Sequence, residues 1–131
     1  MTTEKIKTVL LVDDDKFLLE MYRKKFESKA EKVELALGAE ETLTKLREGL
    51  NPEIILLDII MPNMDGLELL SIIRKENLSP SSIVIMLTNE SDRSKIEEAK
   101  SLGVKGYIVK ATSIPSEVVD EAMKIYNSNH Q

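Results

Sequence analysis

Cysteine is absent from this sequence of 131 residues, which excludes disulfide bonds and thiolate chemistry. Positive charge is scarce: the formal net charge is −5, and no basic run is longer than Arg23-Lys24-Lys25. Nucleic acid and anionic membranes are therefore not expected as partners. No apolar run is long enough to span a bilayer, and the N-terminal apolar stretch is too short for a signal peptide, so a cytoplasmic location is expected.

What the sequence does contain is a series of short apolar runs. Four are nearly continuous, which is typical of strands buried on both faces of a parallel sheet: Val9–Val12, Ile54–Leu57, Ile83–Leu87 and Tyr107–Val109. A fifth run, Val33–Leu37, alternates in polarity and is predicted to be an edge strand. Apolar residues at helical spacing fill the gaps, with Gly103 expected to end the fourth helix and Pro115 to lie in the first turn of the fifth.

This alternation of strands and helices predicts a parallel sheet covered by helices on both faces. The length suits one domain with one buried core. We therefore expect a single domain over residues 1–131, with a core from about residue 6 to about residue 127 and no output domain.

Polar residues stand at the ends of the buried runs. The first run ends at Asp13-Asp14-Asp15, the third strand at Asp58, the fourth at Thr88 and the fifth at Lys110. The carboxyl ends of parallel strands share one edge of the sheet, and open α/β sheets bind ligands there. The sequence therefore predicts a site that combines these residues.

The charges of this site indicate its chemistry. Two carboxylates about 4 Å apart repel each other by roughly 4 kcal/mol at an effective dielectric constant near 20, and a divalent cation with oxygen ligands relieves that repulsion. Acids, a cation, an ammonium group and a hydroxyl are the components of a phosphoryl-transfer site. Asp58 stands alone at the centre of the predicted sheet and is the candidate nucleophile, whereas Asp15 is expected to cap the first helix.

Taken in order, these segments resemble the receiver domain of two-component response regulators. LLVDDD is similar to the acidic pair of that family, LALGAEETL to the passage from its second strand into a helix, and IILLDIIMPNMDGLELL to its phosphoacceptor block. MLT and GYIVK supply the remaining Thr and the Tyr-x-x-Lys motif. The resemblance covers nearly the whole chain and implies a flavodoxin-like, doubly wound (βα)5 fold with strand order 2-1-3-4-5.

The resemblance also implies how the site is used. Asp58 would accept a phosphoryl group from a histidine kinase or a histidine phosphotransfer protein. Mg²⁺ would be bound by Asp13, Asp14, Asp58 and the backbone carbonyl of Ile60. Lys110 would contact Asp58 and then the phosphoryl oxygens.

The output of such a domain follows from the same resemblance. Thr88 and Tyr107 would act as switch residues that alter the surface of helix 4, strand 5 and helix 5. That surface would bind a downstream protein target, and a homodimer formed through it is an alternative. Slow autodephosphorylation would accompany the switch, so we do not expect an enzyme that acts on other substrates.

Two positions depart from the family pattern. Ala111 follows Lys110 where the family usually has proline, and a non-proline cis bond costs roughly 2.5–4 kcal/mol, so a trans Lys110–Ala111 bond is predicted. Asn89 follows Thr88 where the family favours a small residue, and its side chain is expected to narrow access to Asp58. The single histidine, His130, lies in a polar tail and is expected to be inert.

Two other functions compete with the switch. The segment Asp13-x-Asp15, with Thr88 and Lys110, could imitate an aspartate-nucleophile phosphatase of the haloacid dehalogenase type, but that interpretation leaves Asp58 unexplained. A pseudo-receiver that never takes phosphate and serves as an interaction module is the second alternative.

Overall fold

The computed structural model describes residues 5–88, 93–110 and 113–129. In this part of the chain five strands alternate with five helices. In chain order the elements are β1 (Ile6–Asp13), α1 (Lys16–Phe26), β2 (Ala30–Leu37), α2 (Ala39–Arg47), β3 (Ile54–Asp58), α3 (Gly66–Lys75), β4 (Ile83–Thr88), α4 (Arg93–Ser101), β5 (Gly106–Val109) and α5 (Pro115–Asn129).

The strands form one parallel sheet in the order β2-β1-β3-β4-β5. This confirms the predicted doubly wound α/β fold. The order of strands reverses direction between β1 and β3, and in this fold class that point opens a crevice at the carboxyl ends of the strands. The fold therefore brings the end of β1 beside the end of β3.

Two apolar cores lie on opposite faces of the sheet, because alternate residues of a strand point to opposite sides. On one face, residues such as Val9 and Leu11 of β1 pack with α1 and α5. On the other face, Leu10 and Val12 pack with α2 and α3. The nearly continuous apolar sequence of the central strands is explained by this burial on both sides.

The two edge strands differ in how well the sequence predicted them. β2 lies at one edge, as expected from its alternating pattern. β5 lies at the other edge, and the expectation that Tyr107–Val109 is buried on both faces is wrong: only Ile108 is buried, and Tyr107 is 45 % exposed. The run is apolar, but a strand with a neighbour on one side only is covered less completely.

Helix termini follow the local sequence. Asp15 caps α1 by accepting a hydrogen bond from the amide of Leu18, and Pro115 is the first residue of α5, both as predicted. Sequence reasoning missed the cap of α3. There the Asp65 side chain accepts hydrogen bonds from the amides of Leu67 and Glu68, and the Glu68 side chain accepts one from the amide of Asp65.

At the opposite end of the sheet, one carboxylate joins three elements. Glu53, just ahead of β3, accepts hydrogen bonds from the Tyr126 hydroxyl of α5 (2.6 Å) and from the Lys7 amide of β1 (2.5 Å).

Tyr126→Phe keeps the ring and removes this hydroxyl donor to Glu53. We expect the free energy of unfolding in urea to fall by about 1 kcal/mol, whereas Tyr107→Phe, on a half-exposed ring, should leave it unchanged. Equal losses in both variants would contradict this role for Tyr126.

Candidate functional site

Three carboxylates meet at the carboxyl edge of the sheet. Asp13 ends β1, Asp14 follows it, and Asp58 ends the neighbouring strand β3. Each offers one oxygen, and these oxygens lie within 4.8 Å of one another. Asp13 and Asp58 are buried, with exposed fractions of 0 % and 3 %, whereas Asp14 is exposed. The pairing of β1 with β3 therefore forces two charged groups together in a place where water reaches only the third.

Lys110 joins the two buried carboxylates. Its Nζ lies 3.0 Å from Asp13 Oδ2 and 3.1 Å from Asp58 Oδ2 and donates a hydrogen bond to each. It follows β5, two strands away from β3, so its side chain reaches back across the end of β4. The other oxygen of Asp13 accepts a hydrogen bond from the Asp15 amide at 3.0 Å. One ammonium group thus compensates part of the charge of the cluster.

The remaining charge imbalance appears in the pKa values. Burial, and then repulsion from Asp13, raise the pKa of Asp58 to about 7 against the opposing effect of Lys110. Burial also raises the pKa of Asp13, although its hydrogen bonds with Lys110 and with the Asp15 amide oppose the shift. Burial alone would lower the pKa of Lys110, but its hydrogen bond to Asp13 and the charge of Asp58 raise it. With its carboxylates ionised, the cluster therefore carries more negative charge than Lys110 alone can balance.

The donor set fits a hard divalent cation. All three side chains offer carboxylate oxygens, the ligands that Mg²⁺ prefers, and the set contains no nitrogen or sulfur donor suited to zinc or copper. Ile60, the predicted carbonyl ligand, lies two residues past Asp58 in the loop that leads to α3, and its side chain is 48 % exposed. The chemistry of the site therefore agrees with the predicted cation.

The two predicted switch residues lie on neighbouring strands. Thr88 ends β4, is buried, and lies one residue beyond Leu87, the residue of β4 that is paired with Asp58. Across the next pair of strands Thr88 is opposite Val109 of β5. Tyr107 lies on β5 opposite Met86, with its ring half exposed and outside the acidic cluster.

The predictions for Asn89, for the Lys110–Ala111 bond and for His130 concern parts of the chain outside the described residues.

Two features of the site were not found from the sequence. The contact of Lys110 with Asp13 was missed, because strand ends alone do not show which carboxylates a long side chain reaches. Gly66 is the second: a Cβ atom there would lie 2.3 Å from the carbonyl oxygen of Asp58. The Gly66 amide also donates a hydrogen bond to the backbone carbonyl oxygen of Ile59 at 2.7 Å. The only signal for this close approach was the glycine itself, directly after the helix cap Asp65.

An open parallel sheet of this order, with three carboxylates and a lysine at its carboxyl edge, defines the CheY-like class of α/β domains. A family model described as the response regulator receiver domain matches residues 9–121, and the chain belongs to this family. The predicted resemblance is confirmed.

Individual relatives agree with this assignment. The chain is 33 % identical over 110 residues to the chemotaxis protein CheY of Halobacterium salinarum, covering 84 % of this chain and 89 % of that protein. It is 33 % identical over 121 residues to the response regulator protein VraR of Staphylococcus epidermidis, covering 90 % of this chain but only 56 % of VraR. A CheY-like receiver domain protein from Methanospirillum hungatei has the same fold, with a TM-score of 0.82, 28 % identity, and coverage of 96 % of this chain and 98 % of that one.

Membership of the family defines the broad activity. Receiver domains are signalling modules rather than classical enzymes, and response regulators receive phosphate from histidine kinases and act on downstream targets. Receiver domains bind Mg²⁺ at an acidic pocket, and Asp13, Asp14 and Asp58 form an acidic cluster in this structure. Among the residues that the structure describes, no helix is both long enough and apolar enough to cross a membrane.

Proposed function

We propose that this domain is a signalling switch in which Asp58 accepts a phosphoryl group from the phosphohistidine of a kinase or a phosphotransfer protein. The observation that carries the proposal is the position of Asp58: it is buried at the end of a central strand, 3.1 Å from Lys110 and within a cluster of acids. Membership of the receiver family supports the same role. It also disfavours the phosphatase alternative, in which Asp58 had no role.

The transfer is a displacement at phosphorus. A carboxylate oxygen of Asp58 forms a bond to phosphorus, the bond between phosphorus and the histidine nitrogen breaks, and the imidazole leaves with the electron pair. Lys110 holds the Asp58 carboxylate in place before transfer and is close enough to pair with the phosphoryl oxygens afterwards. Burial of Asp58 restricts water, which favours slow hydrolysis of the acyl phosphate and hence slow autodephosphorylation.

Mg²⁺ is the metal we assign to this site. Asp13, Asp14, Asp58 and the backbone carbonyl of Ile60 are the groups that would hold it. When bound, the ion supplies positive charge that offsets the repulsion among the carboxylates and the incoming phosphoryl oxygens.

The output path runs through two strands. Thr88 would hydrogen-bond the phosphoryl group, and its neighbour across the sheet, Val109, belongs to the strand that carries Tyr107. A change at Thr88 can therefore reach the half-exposed ring of Tyr107 and the surface formed by α4, β5 and α5. We assign that surface to a downstream protein target, with a homodimer as the alternative. We place the domain in the cytoplasm and do not assign it a nucleic acid or a membrane as a partner.

The test is incubation with acetyl phosphate and Mg²⁺, followed by intact mass. We expect one phosphoryl adduct on the wild-type protein and none on Asp58→Ala, whereas Asp120→Ala, which removes an exposed carboxylate of α5, should keep it. A protein that takes no phosphate under any of these conditions would be the pseudo-receiver. Turnover of aryl phosphates that depends on Asp13 would instead establish the phosphatase.

Magnesium should also stabilise the folded domain, because it binds the native cluster and not the unfolded chain. We expect millimolar Mg²⁺ to raise Tm, and Asp14→Asn to weaken that increase while making the metal-free protein more stable by reducing the repulsion. Ca²⁺ and K⁺ at equal ionic strength serve as controls for selectivity and for general screening. Melting curves that Mg²⁺ leaves unchanged in both proteins would show that the metal site is wrong.

A further inference from the structure

An open groove lies at the carboxyl edge of the sheet, beside the acidic cluster. It has a volume of about 580 Å³ and is bounded by the end of β1, the start of α2 and the loop between β3 and α3. Its apolar lining includes Leu37, Leu43, Pro62 and Met64, and Leu37 is 43 % exposed. An apolar surface that is open to water gains free energy when another apolar surface covers it.

The charges around this groove are negative. Asp14 and Glu40 are the charged residues of its described lining. Glu40 and Glu48 also line an adjoining shallow depression along α2, where Lys45 is already paired with Glu34 at 3.0 Å. Glu40 and Glu48 are exposed, and neither has an ion-pair partner in the described part of the chain. We call the groove with these three carboxylates (Asp14, Glu40 and Glu48) the acidic groove.

The exposed side of α1 is apolar and basic. Phe17 is 85 % exposed and Met21 is 49 % exposed, although both side chains are large and apolar. Lys24 and Lys25 follow Met21 by three and four residues, so the four side chains share one face of the helix. Among the described residues, no carboxylate lies within ion-pair distance of either lysine. We call these four side chains the basic stripe.

The basic stripe and the acidic groove complement each other in charge and in apolar character, but they do not meet within one molecule. α1 packs against one face of the sheet and α2 against the other. Each surface therefore keeps exposed apolar side chains and exposed charges that only another molecule can cover. Opposite charges across a contact favour its formation, and like charges oppose it.

We propose that the basic stripe of one copy of this domain docks into the acidic groove of a second copy. Phe17 and Met21 would cover the apolar lining, while Lys24 and Lys25 would pair with the carboxylates around it. Because the two surfaces belong to different faces of the molecule, the contact is head-to-tail and leaves a free stripe at one end and a free groove at the other. Association therefore continues beyond two copies, unlike a closed homodimer through α4, β5 and α5.

Asp14 connects this contact with the phosphorylation site, and this link rests on the proposed function. Asp14 lines the groove and is also the exposed member of the acidic cluster. A docked stripe would cover the side from which water reaches the cluster. Mg²⁺ held by Asp14 would place positive charge beside the docking lysines and oppose the contact. By linkage, self-association and metal binding weaken each other.

Sedimentation equilibrium of the domain in EDTA and at low ionic strength tests the contact. Because each surface is small, we expect association at roughly 0.1–1 mM protein, with an average mass that rises past that of a dimer as the concentration increases. Raising KCl to about 0.5 M should weaken the association about tenfold, because it screens the charges of both surfaces. A protein that stays monomeric, or that stops at a dimer, would overturn the proposal.

Charge reversal on each surface identifies the residues involved. Lys24→Glu with Lys25→Glu makes the stripe acidic, and Glu40→Lys with Glu48→Lys makes the groove basic. Each double variant alone should associate at least about tenfold more weakly than the wild type, because stripe and groove then carry the same sign. An equimolar mixture should recover association, since an acidic stripe meets a basic groove and the reverse. A mixture that stays as dissociated as its two components would contradict the assigned surfaces.

Asp120→Lys with Glu121→Lys is the matched control for the groove variant. It produces the same change in net charge on exposed positions of α5, and it should associate as the wild type does. The Tm of every variant shows whether the domain remains folded. A loss of association in this control equal to that of the groove variant would attribute the effect to net charge and refute the contact.

The apolar part of the contact has its own test. Phe17→Ser removes the largest exposed side chain of the stripe and should weaken association about tenfold. Tyr107→Ser removes the half-exposed ring of the surface formed by α4, β5 and α5 and should leave association unchanged. The reverse pattern would assign self-association to that other surface and overturn the proposal.

A comparison with Mg²⁺ separates this inference from the proposed function. Millimolar Mg²⁺ should weaken association more than KCl of equal ionic strength, and this extra effect should be absent in Asp14→Asn. If Mg²⁺ raises Tm but acts on association no more than KCl does, the link through Asp14 is overturned. If Mg²⁺ leaves Tm unchanged, the proposed metal site fails, while the charge reversals in EDTA still decide the contact.

Discussion

Asp58→Asn is expected to make the metal-free domain more stable at about pH 8, by roughly 2–4 kcal/mol in the free energy of unfolding. The native carboxylate is 3 % exposed and faces Asp13, and together these effects raise its pKa to about 7. The folded protein therefore holds a charge there at a cost that the unfolded chain does not bear. The amide is neutral, and Lys110 keeps its partner Asp13 at 3.0 Å.

The pH dependence has a definite sign. Well below about pH 4, Asp58 is protonated in both states and contributes nothing to the pH dependence of stability. Between about pH 4 and the folded pKa of about 7, the folded state binds more protons, so the stability of the wild-type protein should fall as the pH rises. Asp58→Asn should remove most of this slope.

Urea unfolding in EDTA from about pH 4 to about pH 8 measures both effects. Asp120→Asn, which replaces an exposed carboxylate of α5, is the control and should follow the wild-type curve. If Asp58→Asn and the wild type had equal stability at the upper end of this range, the cost assigned to the buried charge would be refuted.

Gly66→Ala should disrupt both stability and phosphorylation. The added Cβ would lie 2.3 Å from the carbonyl oxygen of Asp58 and 3.0 Å from the Cα of Ile59. These atoms belong to the backbone of β3 and the loop after it, so the strand end itself must move. We expect a loss of roughly 2–4 kcal/mol in the free energy of unfolding and slower labelling by acetyl phosphate, because Asp58, the proposed phosphoacceptor, is displaced from Lys110.

Gly106→Ala is the matched control. A Cβ at Gly106 would meet the side chain of Ile125, with the nearest atom at 2.6 Å. Cγ1 and Cγ2 of Ile125 would each lie 3.0 Å away, so the whole side chain must move. A side chain can do so without displacing the end of a strand, and Gly106 is remote from the acids. We expect a smaller loss of stability and normal labelling. Equal effects in the two variants, in urea unfolding and in intact mass, would contradict the role given to Gly66.

Much of the fold was predictable because its signals are local. Nearly continuous apolar runs marked the central strands, and Asp15 and Pro115 marked helix starts. Exposure of β5 was mispredicted because an apolar run shows what could be buried, whereas coverage depends on neighbours that only the three-dimensional fold supplies. The cap at Asp65 could have been found, since aspartate followed three residues later by glutamate is a known signature.

The site was predictable at the level of strand ends. Parallel topology alone places Asp13 and Asp58 at one edge, and the structure brings them together with Asp14. Side-chain reach was not predictable: Lys110 contacts two acids instead of the one expected. The steric role of Gly66 also required coordinates, because it depends on a separation of a few ångströms between two backbone segments.

The contact between Lys110 and Asp13 joins residues 97 positions apart. A nascent chain still on the ribosome, or a proteolytic fragment that ends before β5, would contain every acid of the cluster but no ammonium group to complete it. The charge balance of the site can therefore be completed only when the last strand joins the sheet.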